Sequence, residues 1–469
     1  MASRPRIRTL ATLLLAGGGL GAQSVYSVIA EQSRTAFTIG GAGARAAGTG
    51  GAFIAVADDA TAMSFNPAGL GQLLLPEVSL AGQSYRRSLR LTGFADPAGT
   101  DPTTREDASR GDSHTRPSFV SIAIPWKRHG LNTAVQFSYQ RILDFDFGAE
   151  RAYAAQPPGG GAPQTVTQAI FQAGGIDMYS AGLGLELSPR ILAGASVNFW
   201  RGRWDFSSAS EKAASGAAVF DSVLAQRNQF RGWNVNAGLI WRSQYVNLGL
   251  VYRSPFTATY TFENYLTQPD PATGLITTTH GARTPYELRW PETLGWGVGL
   301  HPLPTLLLTA DWSRTPWSQA TFANQGTDYD GRNYFDLAVD TRTPTVTTFH
   351  TGAEWVTFLG ERTVLPLRVG WFREPQPMVD TRTGAQRVVL GWTVGFGVKR
   401  GPVTVDAAYR ESRSTRFASR LNADAPLGGL TSYAYGFETL QERRLFLSLI
   451  VQLDGDQVRK AVAWLFQGP

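Results

Sequence analysis

Apolar and polar residues alternate along most of the chain with a period of two. Tyr179, Ala181, Leu183, Leu185 and Leu187 form one set, interleaved with Ser180, Gly182, Gly184 and Glu186. Ile191, Ala193, Ala195, Val197 and Phe199 repeat the pattern, as do Trp233, Val235, Ala237, Leu239 and Trp241. Near the end, Leu445, Leu447, Leu449, Val451 and Leu453 share a face. Such alternation predicts β-strands with one apolar and one polar or small face. Strands of soluble sheets usually run about five or six residues, whereas about nine to eleven tilted residues cross a bilayer. The runs here have the longer length. An open sheet edge cannot be satisfied in lipid, so the strands are expected to close into a transmembrane antiparallel β-barrel. Within one strand, Val388, Leu390, Trp392, Val394 and Phe396 should face lipid, and Gly391, Thr393 and Gly395 the interior.

Connections set the count. Short turns are expected at 127–130, 188–190, 242–244, 302–304, 360–362 and 399–402. Long polar connections are expected at 92–116, 154–175, 213–227, 267–283, 325–345, 378–386 and 416–432. Together they imply fourteen strands over 76–453, an even number with both ends on the short-turn side. Trp126, Trp200, Trp241, Tyr252, Trp312, Trp355, Trp371, Trp392 and Tyr409 lie near strand ends, where amphipathic rings would form girdles at the lipid–water boundary.

Three segments fall outside the pattern. Arg4, Arg6 and Arg8 precede an apolar run from Leu10 to Leu20 and small residues, which predicts a cleaved export signal over 1–22, cut between 21 and 24. Residues 23–75 contain a run of Gly and Ala over 40–52, then Asp58, Asp59, Asn66, Pro67 and Ala68. Either aspartate could cap a short helix over Ala60 to Ser64; Asn66-Pro67-Ala68-Gly69 reads as a turn with a side-chain acceptor. Residues 454–469 have apolar residues at helical spacing after Asp456, an amphipathic tail.

Composition narrows the function. Charged residues are only 17% of the 469, aromatics 11%, and cysteine is absent, which removes disulfides and thiol chemistry. Removing the export segment lowers the formal charge from +6 to +3, too weak a bias to imply nucleic acid. His114, His129, His280, His301 and His350 have no metal-ligand spacing, and no nucleophile motif is present. No catalytic residue, cofactor or resident metal is therefore expected. Alternation turns Glu186, Arg253, Asp311, His350, Glu354, Arg368, Lys399, Asp406 and Arg410 inward. Arg253 or Arg368 could meet a ligand carboxylate; alternatively Arg368 pairs with Glu354 or Asp406 to hold the interior together.

The passage from Gly43-Ala44-Arg45 to Asn66-Pro67-Ala68-Gly69-Leu70 resembles the plug, or hatch, of the outer-membrane long-chain fatty-acid and aromatic-hydrocarbon transporters (FadL/TodX type). Trp290-Pro291-Glu292-Thr293 with Gly297, Asp311 and Trp317-Ser318, and Leu367-Arg368-Val369-Gly370-Trp371 with Pro375 and Pro377, resemble later parts of that family. The resemblance implies an N-terminal hatch (23–75) inside the lumen, with Asp58, Asp59, Asn66, Pro67 and Ala68 as its gating residues. It also implies capture of a hydrophobic small molecule by external loops, an internal pocket bordered by Phe53 and Phe65, and lateral exit at a kink in the third strand. A monomer in the bacterial outer membrane, contacting lipid and lipopolysaccharide, would follow. The alternative is a plugged barrel acting as an interaction scaffold or cargo shuttle in protein secretion.

Overall fold

Alternation along the chain becomes a closed antiparallel barrel of fourteen strands. The computed structural model describes residues 40–454 apart from 96–108, 156–163, 215–216, 271–272, 282, 327–329, 335–342, 380–384 and 422–432. The export segment and the tail beyond Asp454 lie outside the described residues. The strands are β1 (Glu77–Ala95), β2 (Ser109–Arg128), β3 (Leu131–Asp144 and Phe147–Ala155), β4 (Gln164–Ser188), β5 (Ile191–Ala214) and β6 (Ala217–Arg242). Then come β7 (Val246–Arg253 and Phe256–Pro269) and β8 (Ile276–His280, Thr284–Trp290 and Thr293–Leu303). The last six are β9 (Leu306–Pro316), β10 (Thr345–Leu359), β11 (Thr363–Val379), β12 (Gln386–Arg400), β13 (Val403–Leu421) and β14 (Tyr433–Gln452). β14 pairs back onto β1, from Glu77↔Gln452 upward, and so closes the barrel.

The interrupted strands each count once because their pieces share a neighbour. Both pieces of β3 pair with β4, and both pieces of β7 with β6. Pro255 and Pro291 mark aligned breaks in adjacent strands: Arg253↔Thr293 is paired below them and Phe256↔Trp290 above. Proline offers no N–H to a ladder, which accounts for the gap at that level. All six short turns appear at one end. In the first, His129 and Gly130 both have positive φ (50° and 80°), the geometry of a type I′ hairpin.

The outer surface is apolar, with Phe137, Phe199, Trp233, Leu239, Trp241, Trp355, Leu367, Leu390, Trp392, Val394 and Phe396 exposed. Gly391 and Thr393 are buried on the opposite face. Two expectations need correction. Trp200 is buried within the barrel and contributes nothing to the girdle: Phe199 takes the lipid side, so strict alternation turns its neighbour inward. Four of the long connections are also much shorter than expected. β5 runs to Ala214 and β6 resumes at Ala217, because above the membrane both faces meet polar surroundings and the ladder continues without apolar alternation.

Residues 42–73 lie inside the barrel. They form one turn of helix, α1 (Ala44–Gly48), and two 3-10 turns, Ala62–Ser64 and Pro67–Gln72, joined by irregular chain, nearly all of it buried. The segment rests on a floor of inward glycines. Gly184, Gly194 and Gly238 are successive cross-strand partners on β4, β5 and β6. A Cβ on Gly184 would strike Leu70, on Gly194 the Pro67 carbonyl, and on Gly238 the Asn66 side chain. Gly249 and Gly297 do the same under Ile54 and Ala55, and Gly352 and Gly370 under Thr49 and Gly50. Here glycine supplies close approach of two backbones rather than an unusual dihedral.

Replacing Gly238 by valine should therefore destabilise the barrel by about 1–3 kcal/mol through overpacking, whereas Val394→Leu on the lipid face should change stability by less than about 0.5 kcal/mol. Urea unfolding of the two variants in lipid vesicles checks this. Equal effects would mean that the interior segment does not press on the wall.

Candidate ligand-binding site

An irregular backbone inside a barrel leaves amides and carbonyls that need partners. Inward side chains of the wall supply them. Asp311 on β9 accepts both the Phe53 and Ile54 N–H groups through Oδ2, at 2.6 and 2.8 Å. The Thr393 hydroxyl donates to the Gly48 carbonyl at 2.8 Å and accepts from Gly50 N at 3.0 Å. Nδ1 of His350 lies 2.6 Å from the Gly50 carbonyl. Asn132 donates to the carbonyls of Gly71 (2.9 Å) and Leu73 (2.6 Å), while Ser121 and Gln136 both reach that of Ala60.

Asn66, fully buried, serves both segment and wall. Its Oδ1 accepts from Ala68 N at 3.1 Å, capping the turn that Pro67 opens, while Nδ2 lies within 3.0–3.3 Å of the carbonyls of Ile54, Leu239 and Leu250. Leu239 and Leu250 are themselves partners across β6 and β7, so one side chain ties the segment to two strands. Pro67 and Ala68 are buried over β5. Asp59, rather than Asp58, shapes the preceding turn: its Oδ1 accepts from both the backbone N–H (2.8 Å) and the hydroxyl (2.6 Å) of Thr61. Asp58 turns outward to Arg45.

Arg45 begins a charged chain that crosses to the wall. Its Nε bonds Glu354 at 3.0 Å, and Glu354 receives Arg368 Nε at 2.6 Å. Arg368 Nη1 reaches Asp406 at 2.6 Å. Arg368 is thus enclosed between two carboxylates and lies apart from the cavity. Arg45 also stacks over Phe53, which packs edge-on against Phe65 at 5.2 Å between ring centres.

The outer half of the lumen is filled with rings. β9 ends at Pro316, the chain turns inward at Trp317–Gln319, and 321–323 then runs beside β8, with Arg289 N donating to the Thr321 carbonyl. This carries Trp317, Phe322 and Tyr334 into contact with Trp200, Trp204, Phe256, Tyr260, Phe262, Tyr286 and Trp290. Trp290 sits at the centre, 5.3 Å from Trp317, 5.5 Å from Trp200 and 5.8 Å from Phe256. The sequence pattern did not reveal this cluster: Trp200 was assigned to the girdle and Tyr334 to a long connection.

Between the ring cluster and the interior segment lies a cavity of about 160 Å³. Ile54, Phe65, Ile142, Leu143, Trp317 and Val346 give it apolar walls, and Arg87, Arg141, Asp144, Arg253, Asp311, Glu374, Arg410 and Arg444 make the rest of the lining charged, with His350 beside them. Arg410 bonds Glu374 at 2.8 Å and stacks over Phe372. The Arg253 side chain has no hydrogen bond or ion pair among the described residues. Of the four candidate contact residues, Phe65 and Arg253 line the cavity, Phe53 lies behind Phe65, and Arg368 is remote.

One side of the cavity meets a gap in the wall. The β2–β3 ladder stops at Phe119↔Gln140; above it β2 pairs with β1 alone, and the upper piece of β3 pairs with β4. The break in β3 falls at Phe145–Asp146, where Phe145 turns inward against Trp204. Arg87 donates to the carbonyl of Asp146 at 2.5 Å and pairs with Glu442 at 2.7 Å. Arg116 lies 3.2 Å from Asp144 and also contacts Asp146. His114, Asp144 and Asp146 are close enough together to hold a cation, but Arg116 already supplies the positive charge.

Three solved structures share this architecture. A FadL homologue of Pseudomonas aeruginosa superposes with a TM-score of 0.62 at 14% identity, over 90% of this chain and all of that one. The fold is that of the FadL-type channels. The Ralstonia pickettii toluene transporter TbuX (TM-score 0.52, 13% identity, 89% of this chain and 100% of that one) has it too. So does the P. putida toluene transporter TodX (0.55, 11%, 89% and 99%). No protein-family model matches the sequence, and no curated protein matches it. The FadL-type fold here is therefore carried by its strand geometry and interior contacts at low sequence identity.

Removing Arg368 should leave Asp406 as an unpaired buried charge, whereas Glu354 keeps its pair with Arg45. Arg368→Ala is expected to cost about 3–5 kcal/mol, and adding Asp406→Asn to it should restore much of that loss. Thermal unfolding of the two variants compares them; a single variant as stable as the parent would show that the cluster contributes nothing.

Proposed function

We propose that the protein is an outer-membrane channel for uptake of small hydrophobic molecules, with residues 40–73 as its hatch. The observation that carries this is the partly open cavity between the hatch and the ring cluster, placed beside the gap in the wall. A path through the centre would have to break the hatch contacts to Asp311, Thr393 and Asn66. A ligand in the cavity has a shorter route through the side, between β2 and the upper piece of β3. Below that gap the lipid face carries an apolar hollow lined by Val120, Ile122, Phe137, Tyr179 and Phe199. Lateral release into the membrane suits an insoluble cargo, and Arg87, Arg116 and Asp144 would act as its gate.

Size favours single rings. A dry engineered cavity of about 150 Å³ binds benzene, and the space here is about 160 Å³. A long acyl chain would require the hatch or the ring cluster to move first. TbuX and TodX, which share the fold, are described as toluene transporters, in line with this reading. The filled interior weighs against a wide polar lumen of the kind that an interaction scaffold would need.

Toluene is expected to saturate one site in the purified barrel and to change the fluorescence of the tryptophans above it. Arg253→Ala should weaken benzoate about tenfold, the loss of roughly one charge-assisted contact, while toluene changes by less than about twofold because its binding is apolar. Calorimetry with both compounds measures this. If neither toluene, benzoate nor palmitate binds, the channel reading is wrong.

A further inference from the structure

On the lipid side of the barrel, cross-strand register stacks two rows with different chemistry. Tyr139, Tyr179, Phe199 and Trp233 are successive partners on β3, β4, β5 and β6. The last three are about half exposed, at 47%, 57% and 59%. Two residues nearer the long connections, the next outward row reads Arg141, Asp177, Arg201 and Arg231. Asp177 is taken by its other neighbours, bonding Arg141 and the Tyr139 hydroxyl at 2.8 and 2.9 Å. Arg201 and Arg231 stand directly opposite each other and exposed, with Arg203 outward two residues above Arg201. Neither the Arg201 nor the Arg231 side chain makes a hydrogen bond or ion pair among the described residues.

Like charges in direct register are unfavourable in a sheet, and an anion bound between the two guanidinium groups would relieve that repulsion. The aromatic row marks the lipid–water boundary, which puts the guanidinium pair at headgroup depth on the long-connection side. Guanidinium forks suit the oxygens of a phosphate, and two forks facing each other suit a dianionic one. We propose that Arg201 and Arg231 form a binding site for a phosphate group of the phosphorylated glycolipid of the outer leaflet, with Phe199 and Trp233 against its acyl chains.

This rests on the outer-membrane placement proposed above, but not on transport. The probes are lipid A bisphosphate, the same lipid after enzymatic dephosphorylation, and phosphatidylglycerol, each added to the full-length barrel in detergent and followed by native mass spectrometry. The parent should retain lipid A bisphosphate at least tenfold more than the other two lipids. Arg201→Gln/Arg231→Gln should lose that preference while keeping heat-modifiable migration and toluene binding. Equal retention by the double variant, or of dephosphorylated lipid, overturns the site. Equal retention of phosphatidylglycerol overturns the assignment to the glycolipid. Should the double variant fail to fold, Arg231→Gln alone is expected to lose retention at least threefold, and no loss overturns the proposal. Toluene binding, measured alongside, separates the two ideas: its absence from parent and variant removes the channel reading and leaves the lipid result standing.

Discussion

Chain without regular secondary structure can lie at membrane depth only where protein satisfies its amides and carbonyls. In this barrel that requirement organises both partners. The interior segment folds into turns that expose its backbone to the wall, and the wall answers with Asp311, Thr393, His350, Asn132, Ser121 and Gln136 at matching positions. Glycines on β4 to β8, β10 and β11 remove the side chains that would keep the two backbones apart. A barrel with larger inward residues could not bring these groups within hydrogen-bond distance.

The same requirement distributes charge. Among the inward carboxylates, Asp311 accepts backbone N–H groups, and Glu354 and Glu442 sit between arginines. Buried charges that were neither paired nor bonded would be costly. Arg253, at the edge of the cavity, stands outside these pairs. The wall itself is weakest at two places. Between β2 and β3 a missing stretch of ladder is filled by arginine–aspartate contacts. At Pro255 and Pro291 the ladder is broken at one level, and Phe256 and Trp290 pack against each other on the inner side.

Much of the barrel was legible because lipid enforces a simple rule: a strand crossing it must be apolar on one face. Val388 to Phe396 obey that rule, and the six turns could be read from the polar residues interrupting it. Where lipid ends, the rule ends. The sequence therefore concealed the upward extension of β5 and β6 and the inward turn of Trp200. The anchoring role of Asn66 was partly legible, since Asn-Pro signals a capped turn, but its bonds to Leu239 and Leu250 join residues more than 170 positions apart. Asp311 was legible as an inward charge, but not as the acceptor of two backbone N–H groups from a segment more than 250 positions away. The ring cluster was hidden because its named rings come from β5, β7, β8 and the chain after β9, segments far apart in the sequence.

The seam between β1 and β14 has a temporal meaning. Residues 40–73 precede β1 in the chain, yet they touch side chains from β2 through β14, including Ser448, whose hydroxyl accepts from Ala44 N. Its contacts with Asp311, Thr393 and Ser448 can form only once β9, β12 and β14 are in place, so the final seating of the interior segment and the closing of the seam are coupled events. Lesions in the segment should impair assembly in the membrane as well as whatever passes through the mature protein.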